Sequence, residues 1–218
     1  MKPSPLRDAL LEHRLLAVIR APSADAALGA ALAVAAGGLP ILEVTFTVPD
    51  ATRVMRALKD RSDVLLGAGT VLTVAEARAA IEAGARYLVA PNLNPEVGRV
   101  AREAGVAWVP GAFTTGEILA AHDAGADLIK VYPVGLVGPK YVEVIRDPLP
   151  AIPMMASGGT NLENVVPFLR AGCVACGLGG ALADPRLAAA GDHAEITRRA
   201  REFVSRVREE RPAVPARA

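Results

Sequence analysis

Short apolar runs recur along the chain, separated by longer stretches of mixed polarity. Each run has four or five residues, which is too short for a globular helix. Runs that are almost continuously apolar are typical of parallel strands covered by helices on the outside. The predicted strands are Leu15–Ile19, Ile41–Thr45, Val64–Ala68, Tyr87–Ala90, Ala107–Pro110, Asp127–Val131, Ile152–Ala156 and Val174–Leu178.

The stretches between these runs carry helical signals. Ala24–Ala36 consists almost entirely of Ala, Leu and Val, and Val74–Ala83 repeats the pattern. Thr73 precedes the second of these helices, with Glu76 three residues later, the spacing of a capping box. Several predicted helices end in Ala-Gly, where glycine accepts the left-handed conformation that closes a helix. The predicted closing glycines are Gly37, Gly84, Gly105, Gly125 and Gly172.

Strand and helix therefore alternate with a repeat of roughly 20 to 25 residues. Eight such units with right-handed crossovers predict a single-domain α/β fold, a (β/α)8 TIM barrel with an N-terminal helix before the first strand. An open doubly wound sheet is the alternative. The even spacing and the lack of a G-x-G-x-x-G motif after the first strand favour the barrel. We place the barrel core at about residues 15–205 of the 218 and expect the tail 211–218 to be frayed.

Composition narrows the classes of partner. Apolar residues make up 52% of the chain, and 24 basic against 23 acidic side chains leave a net charge of +1. Nothing in this balance favours a nucleic-acid or membrane partner. Residues 198–211 are basic but alternate with Glu and apolar residues, which predicts a solvated amphipathic helix. No apolar run approaches the roughly 18 residues of a membrane span, and residues 1–15 lack the apolar region of a signal peptide. We therefore expect a cytoplasmic protein.

Cysteines and histidines give no metal motif. Cys173 and Cys176 form a C-x-x-C pair, but they lie in an apolar, glycine-rich run that predicts a buried strand. Strand alternation would place them on opposite faces, so we interpret them as structural. His13, His122 and His193 lie away from the predicted strand ends. No spacing suits a metal site, and we predict neither a metal nor an organic cofactor.

Barrel chemistry takes place where the strands end, and a lysine lies in the sixth predicted strand. Lys130 belongs to the apolar run Leu128–Tyr132, and lysine is rarely buried without a reason. Burial favours a neutral amine, which attacks a ketone to form an imine. The alternative is a lysine that leans to the barrel rim and pairs with a carboxylate.

A carboxylate interrupts the second strand in the same way. Glu43 lies inside Ile41–Thr45, and a carboxyl with a raised pKa can shuttle protons in an imine reaction. The alternative is an internal ion pair with Lys130. Opposite charges on core strands are more typical of an active site than of a scaffold.

Paired glycines follow the last two strands. Gly158 and Gly159 come after the seventh, and Gly179 and Gly180 after the eighth. In many barrels these two loops present backbone N–H groups to a phosphate, although tight turns also need glycine. Arg20, just after the first strand, is a further candidate for anion binding; the alternative is an ordinary exposed arginine.

Several ordered motifs resemble those of the 2-keto-3-deoxy-6-phosphogluconate (KDPG) and 4-hydroxy-2-oxoglutarate (KHG) aldolases, a family that includes 6-phosphogalactonate aldolases. The resemblance runs from about Leu16 to Leu182. The motifs are Ala17–Arg20, Leu42–Asp50, Gly67–Val71, Val89–Asn92, Val109–Gly111, Ile129–Pro133, Ser157–Gly159 and Gly177–Gly179.

This resemblance implies a class I aldolase that reversibly cleaves KDPG to pyruvate and glyceraldehyde 3-phosphate. It implies that Lys130 forms the Schiff base and that Glu43 is the acid and base. It also implies a homotrimer. The substrate-binding residues that it implies are Arg20, Thr47, Thr70, Pro91, Tyr132, Ser157, Gly158, Gly159, Gly179 and Gly180.

The chain departs from the family pattern at positions where the resemblance implies contact with the substrate. Thr47 stands where many members have an arginine, so Arg20 is the candidate for that anion-binding role. Ser157 stands where the family usually has Thr, Tyr132 where it usually has Phe, and Gly180 where many relatives have Ser. The substrate therefore stays open among KDPG, its galactonate isomer and an unphosphorylated 4-hydroxy-2-oxo acid. A phosphate-binding isomerase or synthase without a covalent step and a non-catalytic scaffold are the remaining alternatives.

Overall fold

The computed structural model describes residues 4–210. The predicted frayed tail, residues 211–218, lies outside this range. Among the described residues no helix is long and apolar enough to cross a membrane.

The strands form a parallel barrel, as predicted. They pair in the order β5-β4-β3-β2-β1-β9-β8-β7-β6. One residue, Pro110, separates β5 from β6, and its carbonyl accepts a hydrogen bond from the backbone N–H of Lys130 at 2.9 Å. The two segments are therefore halves of one barrel strand, or stave. Counted in this way, the barrel has eight staves. The strands are β1 (Leu15–Ile19), β2 (Ile41–Thr45), β3 (Leu65–Gly69), β4 (Tyr87–Val89), β5 (Ala107–Val109), β6 (Gly111–Ala112), β7 (Ile129–Val131), β8 (Met154–Ser157) and β9 (Ala175–Leu178).

Helices alternate with the strands around the outside of the barrel. A 3-10 helix (Val134–Leu136) follows β7. The α-helices are α1 (Pro5–His13), α2 (Ala24–Ala36), α3 (Ala51–Leu58), α4 (Val74–Glu82), α5 (Pro95–Glu103), α6 (Thr115–Asp123), α7 (Pro139–Arg146), α8 (Val165–Arg170), α9 (Pro185–Ala190) and α10 (His193–Glu210).

Capping boxes are present at the N-termini of two helices, and the one at α4 was predicted from the sequence. Thr73 and Glu76 form the expected capping box at α4, and Thr114 with Glu117 forms a second one at α6. Each box satisfies backbone N–H groups that have no partner within the helix.

One of the predicted closing glycines is wrong. After α2 the positive φ belongs to Gly38, at 91°, whereas Gly37 stays helical with φ −80°. Gly37 packs against α10, where a Cβ would overlap Ala200 Cβ. Close helix packing therefore requires this glycine, and the next residue makes the turn. The other four predicted glycines do adopt positive φ.

The apolar core has two layers. The larger lies between the barrel and its helices. The smaller fills the barrel interior, where Leu6 and Leu10 of α1 pack with strand residues such as Leu16 and Val109. Helix α1 thus closes the end of the barrel at which the strands begin. The opposite end, where the strands terminate, is left for the site.

The prediction that the cysteines face opposite sides of a strand is wrong. Strand β9 begins at Ala175, so Cys173 lies before it and strand alternation does not apply. Both thiols are free and buried, and both belong to the outer core layer. Burial raises the pKa of Cys173 to about 12, which agrees with the structural interpretation.

Helix α10 confirms the predicted amphipathic C-terminal segment up to Glu210; Arg211 lies beyond the described part. Its apolar face buries Ile196, Ala200, Phe203 and Val207. Its polar face carries ion pairs such as Arg198–Glu195.

Candidate active site

A cavity of about 450 Å³ opens at the end of the barrel where the strands terminate. It collects most of the residues expected to form a site. Of the predicted residues, Arg20, Lys130, Tyr132, Ser157, Gly158, Gly159, Gly179 and Gly180 line it. Val18, Thr160, Asn161 and Ala181 complete the lining.

Lys130 lies on β7 and reaches the cavity from the barrel wall. Its side chain is almost fully buried, with 3% of the residue exposed. Its Nζ lies 5.2 Å from the centroid of the Tyr132 ring. No acidic side chain in the described part of the chain pairs with it within 4 Å. The rim ion pair considered from the sequence is therefore not what the structure shows.

Glu43 lies on β2 and is fully buried. Neither carboxyl oxygen has a hydrogen-bond partner among the described residues. Burial raises the pKa of Glu43, and the positive charges of Lys130 and Arg20 oppose that rise without cancelling it. Glu43 and Lys130 thus interact through their charges without forming a direct ion pair. A buried carboxyl with a raised pKa is suited to take up and release a proton near neutral pH.

Strand β3 provides the space for Glu43. Gly67 is the register partner of Glu43, and Gly69 lies one pleat further along the same face. A Cβ at Gly69 would overlap Oε1 of Glu43. The carboxyl therefore lies directly over a residue that has no side chain. Only glycine at position 69 allows Glu43 to take this orientation.

Arg20 lines the cavity and joins two of the predicted threonines, Thr47 and Thr70, which are absent from its lining. It donates hydrogen bonds to Thr47 Oγ1 at 2.8 Å and to Thr70 Oγ1 at 3.4 Å. Thr47 also lies 2.7 Å, hydroxyl to hydroxyl, from Thr45. Thr70 has a positive φ of 55°, which turns the chain sharply at the end of β3. The result is a guanidinium held by hydroxyl groups, suited to bind a carboxylate.

Both glycine pairs line the cavity, and the first of them packs against the 3-10 helix that follows β7. Gly158 and Gly159 have φ of 77° and 105°, and a Cβ on Gly159 would overlap the Cα of Gly135. Nothing lies within 4 Å of a Cβ placed on Gly179 or Gly180. In the described residues, the N–H groups of Gly159 and Gly180 donate to no backbone acceptor. Free N–H groups on open loops are available to an anion.

Pro91 is absent from the lining of the cavity. It is held against β6, where a Cβ on Gly111 would overlap the Pro91 carbonyl, and Gly111 is the register partner of Lys130. The stave formed by β5 and β6 therefore separates Pro91, which follows β4, from Lys130 on β7.

Thr160 and Asn161 line the cavity but are not among the predicted site residues, although Thr160 directly follows a predicted glycine pair. Thr160 Oγ1 donates to the Gly177 carbonyl, and Asn161 Oδ1 accepts from the N–H of Glu163 and Asn164. Both residues therefore hold the glycine loops in shape. The short run of polar residues after Gly159 was the available signal.

Within residues 4–210, no three His, Cys, Asp or Glu side chains are grouped so that they could hold a metal ion. The prediction that the chemistry needs no metal and no organic cofactor stays a prediction.

Comparison with known proteins agrees with this geometry. Residues 6–199 match the family of KDPG and KHG aldolases. The 2-dehydro-3-deoxy-phosphogluconate aldolase of Pseudomonas aeruginosa is 34% identical over 203 residues, 92% of this chain and 92% of the relative. A probable 2-dehydro-3-deoxy-6-phosphogalactonate aldolase of Rhizobium meliloti is 34% identical over 182 residues, 82% and 86% of the two chains.

The fold is shared with solved aldolase structures. A structure described as native KDPGal superposes with a TM-score of 0.83 at 32% identity and covers 89% of this chain and 94% of the other. The family match over residues 6–199 includes the strands that carry Glu43 and Lys130. The chain therefore belongs to the KDPG and KHG aldolase family and is an aldolase, a carbon–carbon lyase.

Proposed function

We propose that the chain is a class I aldolase that cleaves KDPG to pyruvate and glyceraldehyde 3-phosphate through a Schiff base on Lys130. The observation that carries this proposal is a buried Lys130, without an ion-pair partner among the described residues, whose charge acts on a buried Glu43 of raised pKa. The chemistry proposed for Lys130 needs its neutral amine. That amine is the form that attacks a ketone.

The reaction begins at the C2 ketone of the substrate. Nζ of Lys130 attacks C2, and a proton passes from nitrogen to the former carbonyl oxygen to give a carbinolamine. Glu43 in its acid form protonates this hydroxyl, which leaves as water. The resulting iminium withdraws electrons from C3, and so takes the role that a metal has in other aldolases.

Cleavage then uses Glu43 as a base. Its carboxylate removes the proton from the C4 hydroxyl, the C3–C4 bond breaks, and its electron pair moves towards the iminium nitrogen to form an enamine. The aldehyde leaves. Glu43 returns its proton to C3, and water releases pyruvate from Lys130. One carboxyl serves each transfer, which requires a pKa near the working pH.

The substrate carboxylate has a candidate partner in Arg20. Its guanidinium is held by Thr47 and Thr70, and the cavity lined by Lys130 also includes Arg20. A guanidinium in this place can hold the carboxylate of a 2-keto acid while C2 faces the amine. This arrangement supports the role of Arg20 where many relatives use an arginine at position 47.

The phosphate of the substrate is assigned to the two glycine loops. The unobstructed surface at Gly179 and Gly180, together with the free N–H groups of Gly159 and Gly180 in the described chain, supports this placement. The galactonate isomer is the second candidate, because relatives of both kinds match the chain at 34% identity. An unphosphorylated 4-hydroxy-2-oxo acid is the third.

Reduction of a trapped imine tests the mechanism. Incubation with pyruvate and sodium borohydride is expected to add one reduced pyruvyl group on Lys130, located by peptide mass spectrometry. Lys130→Met is expected to form no adduct. Lys140→Met is the matched control, since Lys140 is exposed and paired with Glu143. An adduct spread over surface lysines, or none, would leave the phosphate-binding isomerase as the better interpretation.

Turnover of a substrate panel separates the candidates. KDPG, its galactonate isomer and 4-hydroxy-2-oxoglutarate are each supplied, and pyruvate release is measured with lactate dehydrogenase. We expect the highest kcat/KM with KDPG. Equal values with and without phosphate would contradict the assignment of the glycine loops.

The proposal also includes the oligomeric state of the protein and its location in the cell. We expect a homotrimer, which sedimentation velocity checks directly. We also expect a cytoplasmic enzyme, and fractionation of the source cells checks that location.

A further inference from the structure

A tyrosine lies in the barrel interior beside Glu43. Tyr87 begins β4 and belongs to the inner core layer. It is fully buried, and its hydroxyl has no hydrogen-bond partner among the described residues. A buried hydroxyl without a partner is unfavourable, and a phenylalanine would fill the same apolar space without that cost. The hydroxyl therefore needs an explanation.

Strand β3 brings Tyr87 and Glu43 towards each other. Glu43 pairs with Gly67 from one side, and Tyr87 stands opposite Gly67 from the other, because Ala68 pairs with Leu88. A Cβ at Gly67 would overlap Cζ of Tyr87, the ring carbon that bears the hydroxyl. A Cβ at Gly69 would overlap the carboxyl of Glu43. Both polar ends thus lie over two glycines of the same strand face.

These are also the polar atoms of the inner barrel that lack partners. In the described part of the chain, Oε1 and Oε2 of Glu43 accept no hydrogen bond and the Tyr87 hydroxyl makes none. The charged or titratable groups that act on Glu43 are Lys130 on β7 and Arg20 after β1. The group that acts on Tyr87 is Glu43, whose charge together with burial keeps the pKa of the phenol well above its usual value. The phenol therefore stays protonated and can donate.

We infer that Tyr87 is a positioning residue whose buried hydroxyl donates a hydrogen bond to the carboxylate of Glu43, across the glycines of β3, when that carboxylate is ionised. The bond forms by rotation of the Glu43 side chain or through one bridging water. It aims the carboxylate and favours its charged form, which is the base of the reaction. This inference rests on the proposed role of Glu43 and adds a residue that acts through it.

Exchange of the pyruvate methyl protons in D₂O tests this without the aldehyde substrate. The exchange requires an imine on Lys130 and a base that removes a proton from C3, and ¹H NMR follows it. The rate is expected to rise with pH as Glu43 ionises. Tyr87→Phe removes the donor and keeps the ring, so ionisation of Glu43 becomes harder. The acid limb, the low-pH part of the profile in which the exchange rate rises with pH, is expected to move to higher pH by ~1 unit. At a pH within this limb the exchange rate is then about 10-fold lower than in the wild type.

Tyr141→Phe is the matched control. Its hydroxyl donates to the Phe113 carbonyl at 2.6 Å, far from Glu43 in the sequence and on the outer helix α7. We expect its acid limb to coincide with that of the wild type. A second variant tests the route of the effect: in a Glu43→Gln background, Tyr87→Phe is expected to change the residual exchange less than two-fold.

The outcomes separate this inference from the proposed function. An acid limb that stays in place in Tyr87→Phe, with only the unfolding midpoint altered, overturns the positioning role and leaves the aldolase proposal intact. The same holds if Tyr87→Phe slows exchange equally with and without the Glu43 carboxyl. Absence of any exchange in the wild type overturns the Schiff-base mechanism, and the role of Tyr87 is overturned with it.

Discussion

At the scale of single residues, burial of Glu43 raises the pKa of its carboxyl, which suits it to proton transfer, and also removes its hydration, which is unfavourable for folding. It has no hydrogen-bond partner among the described residues and is enclosed by the barrel. The positive charges nearby do not compensate for the lost hydration, so the pKa is raised. The sequence predicted both the residue and its raised pKa, because an acidic residue inside an apolar strand is anomalous.

Replacing Glu43 by Gln is expected to remove the proton shuttle. General acid–base groups contribute typically ~10²–10⁴-fold to rate, so pyruvate exchange should fall by about that factor. Proton exchange by NMR measures it. Borohydride trapping on Lys130 should become slower as well, because carbinolamine dehydration uses the same carboxyl. A variant with wild-type exchange would exclude Glu43 as the base.

The same substitution is expected to change how stability depends on pH. The pKa of Glu43 in the fold lies above its ordinary value of 4.5. The protonated form is therefore favoured by folding. That contribution is fully present below pH 4.5 and is lost as the pH rises through the raised value. Urea unfolding from pH 4 to 8 should show wild type losing stability relative to Glu43→Gln as the pH increases. A constant difference across that range would contradict the raised pKa.

Arg20 gives a prediction about affinity. Arg20→Met removes the guanidinium held by Thr47 and Thr70. A hydrogen bond to a charged group contributes about 1.5–3 kcal/mol, so the pyruvate concentration that gives half-maximal exchange should rise ~10- to 100-fold. The maximal rate should change less. Arg53→Met is the control, because Arg53 forms an exposed pair with Asp25. An unchanged half-maximal concentration would place the carboxylate elsewhere.

At the scale of elements, the glycines of β3 provide space for functional side chains, although glycine has a low propensity for strands. Glycine weakens a strand interior, yet Gly67 and Gly69 admit the side chains of both neighbouring strands. The sequence showed the Gly-Ala-Gly run and its position at a strand end. It did not show which side chains would lie over those glycines, because this depends on the register between strands.

Gly69→Ala tests this dependence. The added Cβ overlaps the Glu43 carboxyl, so the carboxyl must move away from its place over β3. Overpacking of this kind typically costs ~1–3 kcal/mol in stability. We expect pyruvate exchange to fall by at least about 10-fold, since a displaced base is out of reach of the reacting carbon. The measurements are exchange rate and urea midpoint.

Gly116→Ala is its control. Gly116 lies in the first turn of α6, with nothing within 4 Å of an added Cβ, and alanine is the better helix former. Its exchange rate should equal that of the wild type. Loss of activity in both variants would mean that the effect at Gly69 does not act through Glu43.

At the scale of the whole molecule, α1 closes one end of the barrel and leaves the other end open to substrate. Leu6 and Leu10 of α1 are buried among the inner residues of the strands. This helix was expected from the sequence only as an element before β1. Its role as a plug appears once the strands have closed into a barrel.

Leu10→Ala is expected to destabilise the fold by about 2–5 kcal/mol, the usual cost of a Leu-to-Ala cavity in a core. Urea unfolding measures this cost. Leu136→Ala is the comparison, because Leu136 is 82% exposed and should change stability by less than about 0.5 kcal/mol. A small effect at Leu10 would mean that α1 is not part of the cooperative core.

The apolar runs, the capping residues and the glycines after the helices specified the barrel and most strand bounds, because hydrophobic period and local backbone chemistry are encoded in neighbouring residues. Lys130 and Glu43 stood out for the same reason, as charges within apolar strands. Contacts between distant segments could not be predicted from the patterns of neighbouring residues. The place of Glu43 over Gly69, that of Tyr87 over Gly67 and the contact of Arg20 with both threonines depend on strand register and on barrel closure. Those features arise only when the eight staves pack together.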